Sequence, residues 1–145
     1  MSETQMNDPE MDARLMLTRN MMGMLESWGL TLEHIKALMG LETPLRKMDR
    51  YRRQDPFPDE PEVNQRLEHI IGIADGLRTS YPRNPAMARH WLQRPHRKFA
   101  RRAPLEVMVC DGMDGLIYVR AEVDCTFAWE ATNDGFRDEA GNLPQ

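Results

Sequence analysis

Two runs of cations are the groups in this chain best able to do chemistry. Between Arg46 and Arg53 the basic residues Arg46, Lys47, Arg50, Arg52 and Arg53 face one acid, Asp49. The run Arg94, Arg97, Lys98, Arg101 and Arg102 contains no acid. Guanidinium groups pair with guanine edges or phosphates, and an ammonium pairs with phosphates, so either run suits an anionic partner. After Ala103 the balance inverts: Glu106, Asp111, Asp114, Glu122, Asp124, Glu130, Asp134, Asp138 and Glu139 stand against Arg120 and Arg137. The net charge of -4 therefore conceals two basic patches and an acidic C-terminal region, which implies two kinds of partner.

Catalytic constellations are poorly supported. His34, His69, His90 and His96 have no cysteine or carboxylate partners at zinc-ligand spacing, and Pro95 lies between His90 and His96. Cys110 sits in an apolar run and reads as a small buried hydrophobe rather than a nucleophile. Gly112 and Gly115 read as a helix break, not a phosphate-cradling loop. The expectation is a binding protein, not an enzyme, with no cofactor and no metal. Two cysteines make no secreted disulfide framework, and neither a signal peptide nor an apolar run of spanning length is present, so the expected location is cytoplasmic, with no membrane partner.

The elements that must position these charges are helical throughout. Residues 1–9 are a polar leader without periodicity. From Met11 the apolar residues Met11, Leu15, Met22 and Leu25 recur at helical intervals up to Trp28-Gly29. Thr31 can cap a second helix carrying Leu32, Ile35, Leu38 and Met39, which Gly40 ends. Thr43-Pro44 then supplies a cap and a first-turn proline for a short basic helix, with Leu45, Met48 and Tyr51 directed to the core. Two helices joined so tightly, with the small Ala37 at their approach, form a helix-turn-helix candidate over Thr31 to Arg53. The proline-rich stretch Asp55 to Pro61 is a loop, and Val63, Leu67, Ile70, Ile71, Ala74, Leu77 and Tyr81 mark one face of a long helix that Pro82 stops. Asn84-Pro85 and Pro104 each start a further helix, and the last helix carries Leu116, Val119, Val123 and Phe127 on one side. The expected fold is all-α with about seven helices. Its segments are a leader (1–9), a helix-turn-helix-like region (10–60), a connecting helix (61–82), a C-terminal module (83–132) and an acidic tail (133–145).

The C-terminal spacing carries a resemblance. It runs from Asn84-Pro85 through Trp91-Leu92 and Pro95, then Pro104-Leu105 and Met108, to Gly115-Leu116, Val119-Arg120 and Val123. These intervals resemble the toxin-binding module of the Xre, MbcA and ParS antitoxin family. Where that family has glycines before its Pro-Leu, this chain has Lys98, Phe99, Ala100, Arg101 and Arg102; where the family's first motif helix opens near a glutamine, it has His34.

The resemblance implies an antitoxin whose partner is a RES-domain toxin, an enzyme that consumes NAD and whose substrate site the antitoxin obstructs. It also implies operator DNA as a second partner, self-association, and hetero-oligomers with the toxin; the Met-rich first helix offers a contact surface. DNA contacts then fall to Arg46, Lys47, Arg50 and Arg53. Toxin contacts fall to the last helix and tail, at Arg120, Glu122, Asp124, Glu130, Asp134, Asp138 and Glu139. Trp91, Leu92, Leu105, Met108, Leu116, Val119 and Val123 read as the structural core of the module. Two other readings stay open at this point: a stand-alone helix-turn-helix regulator, and an interaction adaptor that never meets DNA.

Overall fold

Among the described residues six α-helices follow one another: α1 (Pro9–Ser27), α2 (Leu32–Met39), α3 (Pro61–Ser80), α4 (Pro85–Gln93), α5 (Pro104–Cys110) and α6 (Gly112–Phe136). Two 3-10 segments, Leu45–Arg52 and Arg97–Phe99, lie between them. The computed structural model describes residues 9–136, and their side chains through Cys125. Among the described residues the only β pairing is an isolated bridge between His96 and Arg102. The all-α expectation is borne out, and the seven expected helices are these six and the 3-10 segment Leu45–Arg52.

The helix starts follow local chemistry. α3, α4 and α5 each open on a proline, whose missing N–H is no loss in a first turn. The Thr31 hydroxyl accepts from the His34 N–H at the start of α2, and the Thr31 N–H donates back to His34 Nδ1. That reciprocal pair is a capping box in which the imidazole acts as Glu or Gln ordinarily does, which accounts for a histidine at this position. α2 ends on Gly40 in the left-handed region, at φ 66°.

Beneath that end lies a guanidinium that periodicity did not single out. Arg66 of α3 is almost fully buried, and its Nη1 donates to the Leu38 carbonyl at 2.9 Å while its Nη2 pairs with Glu62 at 3.0 Å. A Cβ on Gly40 would come within 2.9 Å of Arg66 Nε, so the glycine serves both the turn and the cation below it. A positive charge at a helix C-terminus also meets the negative end of the helix dipole.

The basic segment departs from its expected form. Leu45–Arg52 is 3-10, not α, and Pro44 rather than Thr43 occupies its N-cap, without a side-chain cap bond. The Thr43 hydroxyl is instead engaged by Tyr51 Oη. Met48 and Tyr51 are buried, whereas Leu45 is 47% exposed because it stands at the first position, before the segment turns onto the core. Ala37 is likewise exposed. The loop that follows is pinned to α1: Arg14 donates to the carbonyls of Phe57 and Pro58 at 2.7 and 2.6 Å, and the buried Thr18 hydroxyl accepts from the Phe57 N–H at 2.9 Å.

α3 buries Val63, Leu67, Ile70, Ile73 and Leu77. Ile71, assigned to that face by the spacing, stands on its shoulder and is exposed, and Ile73 takes its place. α6 packs chiefly on α3 and α5, with Leu116, Val119 and Val123 fully buried. It continues to Phe136, through Asn133, Asp134 and Gly135 that sequence assigns to the tail, because an established helix gains one hydrogen bond for each residue it adds. Buried residues from Met21 to Val123 form one contiguous cluster, so the N-terminal region and the C-terminal module share a core. Gln93 of α4 reinforces this by donating to the Trp28 carbonyl at 2.7 Å.

The α3–α6 approach depends on a missing side chain. A Cβ on Gly76 would meet Val123 Cγ1 at 2.5 Å, whereas one on Gly23 in α1 would meet nothing within 4 Å. Helix propensity alone favours alanine over glycine by about 1 kcal/mol at either position. Gly23→Ala is therefore expected to stabilise by about 0.5–1 kcal/mol, and Gly76→Ala to destabilise despite the same propensity gain, since overpacking costs about 1–3 kcal/mol. Urea denaturation of the two variants checks the difference in sign, and adding Val123→Ala to Gly76→Ala should recover part of the loss.

Candidate functional site

The C-terminal module is built around a small aromatic group. Leu92 is fully buried, while Trp91 is half-buried with its ring 5.2 Å from His96 and 6.1 Å from Phe99. Phe99, itself buried, meets Tyr118 of α6 edge-on at 5.3 Å. Tyr118 Oη donates to the Lys98 carbonyl at 2.6 Å. His96 Nε2 lies 2.9 Å from the Trp91 carbonyl, and since a carbonyl only accepts, that nitrogen carries the proton. Leu105 and Met108 of α5 are buried beneath.

The basic loop is closed on itself. The N–H of His96 donates to the Arg102 carbonyl and that of Arg101 to the His96 carbonyl, which forces Ala100 and Arg101 to φ 55° and 65°. These are left-handed conformations that glycine adopts without strain, in the very loop where the resembling family carries glycines. Arg102 anchors the far end through a two-pronged contact with Asp111, both bonds 2.9 Å long. Those hydrogen bonds hold the Asp111 carboxyl below the usual aspartate range and raise the Arg102 guanidinium above its ordinary value. Arg94, Arg97, Lys98 and Arg101 remain exposed.

α6 has two differently built sides. Opposite the buried row, Ile117 and Tyr118 are 47% and 46% exposed, with Asp114, Ala121, Asp124 and Cys125 also open to solvent. The expected toxin contacts divide between inward and outward positions. Arg120 reaches across to α3, with Nη1 3.4 Å from the Glu68 carbonyl and 3.3 Å from His69 Nδ1, and it lies where a Cβ on Gly72 would be. Glu122 is half-buried and pairs with Lys98 at 3.4 Å. Asp124 is exposed, 3.9 Å from Arg120. The side chains of Glu130 and Asp134, like that of Phe127, and the residues Asp138 and Glu139 lie outside the described residues. Ile117 and Tyr118 were not singled out from sequence; the signal was there, because Leu116 to Val119 is a run of four apolar residues, more than one buried helix face accommodates.

On the N-terminal side, Arg46, Arg50 and Arg53 are exposed and Lys47 is half-buried. Arg52 is tied to Glu26 of α1 at 2.7 Å. Cys110 is exposed, contrary to expectation: it ends α5, off the row formed by Leu105 and Met108. Among the described residues no three His, Cys, Asp or Glu side chains are grouped to hold a metal ion, and no helix is long and apolar enough to cross a membrane.

Residues 79–125, from the last turn of α3 to Cys125 on α6, match the family model of the antitoxin Xre/MbcA/ParS C-terminal toxin-binding domain. This segment belongs to that family. No curated protein and no solved structure matches the chain. The Xre/MbcA/ParS segment makes a toxin the implied partner, and it contains the aromatic group, the basic loop and the exposed face of α6.

Two measurements check the loop. Ala100→Gly relieves a left-handed alanine and is expected to stabilise the protein by about 1 kcal/mol in thermal or urea denaturation. The Asp111 pKa is lower folded than unfolded, so the contribution of its pair with Arg102 is fully present above the unfolded value and lost as pH falls through the lowered one. An NMR titration of the Asp111 carboxyl should give a midpoint below that of an ordinary aspartate, and Arg102→Ala should move it upward; an unmoved midpoint would show that the pair does not form in solution.

Proposed function

We propose that this protein is the antitoxin of a type II toxin–antitoxin system, that it neutralises a RES-domain, NAD-consuming toxin by covering the toxin's substrate site, and that it represses its own operon by binding DNA. The observation that carries the reading is the match of residues 79–125 to an antitoxin toxin-binding domain in a segment whose α6 leaves Ile117 and Tyr118 in solvent. Two large, half-exposed apolar side chains side by side on one helix are what a protein partner covers.

In this reading Ile117, Tyr118 and Asp124 make the first contacts, and the acidic positions later in the sequence, Glu130, Asp134, Asp138 and Glu139, supply further carboxylates. A site that holds the pyrophosphate of NAD favours cations, and carboxylates pair with those groups. Arg120 and Glu122 act indirectly by fixing how α6 sits on α3 and on the basic loop. DNA binding falls to the basic segment with Arg46, Lys47, Arg50 and Arg53, and self-association to α1, where Met11 and Met16 are exposed. The protein itself carries no cofactor and performs no chemistry.

The test is reconstitution with a RES-domain enzyme, taken from the neighbouring reading frame where that frame encodes one. The antitoxin should suppress NAD consumption at stoichiometric concentration. Ile117→Lys should fold with unchanged helicity yet bind the toxin about 10–100-fold more weakly, the loss expected for one buried aliphatic side chain. Unchanged affinity would move the contact off this face. Truncation after Thr132 separates the two parts of the reading: full inhibition by the shortened chain would leave the helix face sufficient and the acidic end dispensable.

A further inference from the structure

The basic segment Leu45–Arg52 has a regularity that its charge alone does not convey. In a 3-10 helix residues three apart eclipse one another, with a rise of about 2 Å per residue, so side chains of one row are spaced about 6 Å apart. Leu45, Met48 and Tyr51 form one row, and burial of the last two fixes it toward the core. Arg46, Asp49 and Arg52 form a second row, interrupted by an acid and ending in the pair between Arg52 and Glu26. Lys47 and Arg50 form the third, and Arg53, at the C-cap, follows it.

That third row holds cations only. Among the described residues none of its three side chains has an ion-pair partner. Arg53 leaves helical geometry at φ -147°, but its carbonyl accepts from Arg19 of α1 at 2.7 Å, which holds the last rung in place and brings a further guanidinium beside it. A polar hollow of about 290 Å³ is lined by Arg50, Arg52, Arg53 and Gln54, with Asp49 as its one acid.

We infer that Lys47, Arg50 and Arg53 form a ladder that tracks successive phosphates along one strand of duplex DNA, so that this surface binds the backbone without reading the bases. The ladder rests on the reading that this segment meets DNA. The spacing of the rungs is comparable with the separation of neighbouring phosphates on a strand. Base readout needs a helix that enters the major groove and projects side chains onto base edges. An eight-residue 3-10 segment that is backed by α1 and α2 and carries a row of cations, with Arg50 and Arg53 exposed and Lys47 half-buried, does the other task, positioning on phosphates.

The test is fluorescence anisotropy of the full-length protein, across a range of salt, with a duplex from upstream of the gene and with a shuffled duplex of equal length and composition. Because phosphate contacts carry no sequence information, replacing any ladder residue should weaken both duplexes alike and leave the ratio of their affinities within about threefold of its original value. Each of Lys47→Ala, Arg50→Ala and Arg53→Ala should flatten the slope of log K against log salt by about 0.9 on both duplexes, and Arg52→Ala by clearly less. Strong preference for the upstream duplex, relaxed when a ladder residue is changed, would overturn the ladder in favour of base readout and leave DNA binding standing. Equal binding with slopes insensitive to these residues would overturn it in favour of another surface. Absence of binding to either duplex would overturn both the ladder and the DNA-binding reading.

Discussion

The close approach of α3 and α6 governs what this protein can present to a partner. Where Gly76 has no Cβ, Val123 of α6 occupies the space, and where Gly72 has none, the Arg120 guanidinium crosses to the Glu68 carbonyl and His69. With Val119 and Val123 buried against α3 and Leu116 held in the same buried row, helical geometry leaves the rotation of α6 no freedom. Ile117, Tyr118, Ala121 and Asp124 must then face outward. The outward face of α6 is thus a consequence of two absent methyl groups on a neighbouring helix.

The same core extends into the N-terminal region. Arg66 places a buried cation against the end of α2, Gln93 fastens α4 to the Trp28 carbonyl, and the loop before α3 is strapped to α1 by Arg14 and Thr18. Each contact joins a residue of one segment to the backbone of another, so the segments gain specificity of position as well as burial. The residues that match the antitoxin domain therefore sit on a platform contributed largely by residues outside the match, α1, α2 and most of α3. Changes near the basic segment Leu45–Arg52 and changes near the exposed face of α6 both act on one shared core.

Periodicity made the helices legible, because apolar residues at three- and four-residue spacing and prolines at first turns are local signals that tertiary packing rarely overrides. The rows Leu116, Val119, Val123 and Val63, Leu67, Ile70 were readable for that reason. Features set by contacts remote in sequence were not. The Thr43 hydroxyl, expected to cap Leu45–Arg52, is taken by Tyr51 instead, a contact eight residues away that no cap rule anticipates. Arg66 looks like a surface cation in a helical pattern, and only the carbonyl of Leu38 above it explains its burial. Arg120 and Glu122 read as free charges on the last helix because their partners, on α3 and in the basic loop, are remote in sequence. His34 looked like a departure from a motif and is instead the reciprocal half of the α2 cap.

The charges of the chain fall into separate duties once these contacts are known. Arg14, Arg66, Arg102 and Arg120 hold the fold, while Arg50 and Arg53 on one side and Asp124 on the other are exposed to solvent. The proposed function has the α6 face and the acidic positions after it cover the NAD site of a RES-domain enzyme. The most direct test is steady-state inhibition of that enzyme by the full-length protein at a series of NAD concentrations. Obstruction of the substrate site requires competition, so the apparent inhibition constant should rise in proportion to NAD above its KM; an inhibition constant independent of NAD would contradict the account and place the contact away from the substrate site.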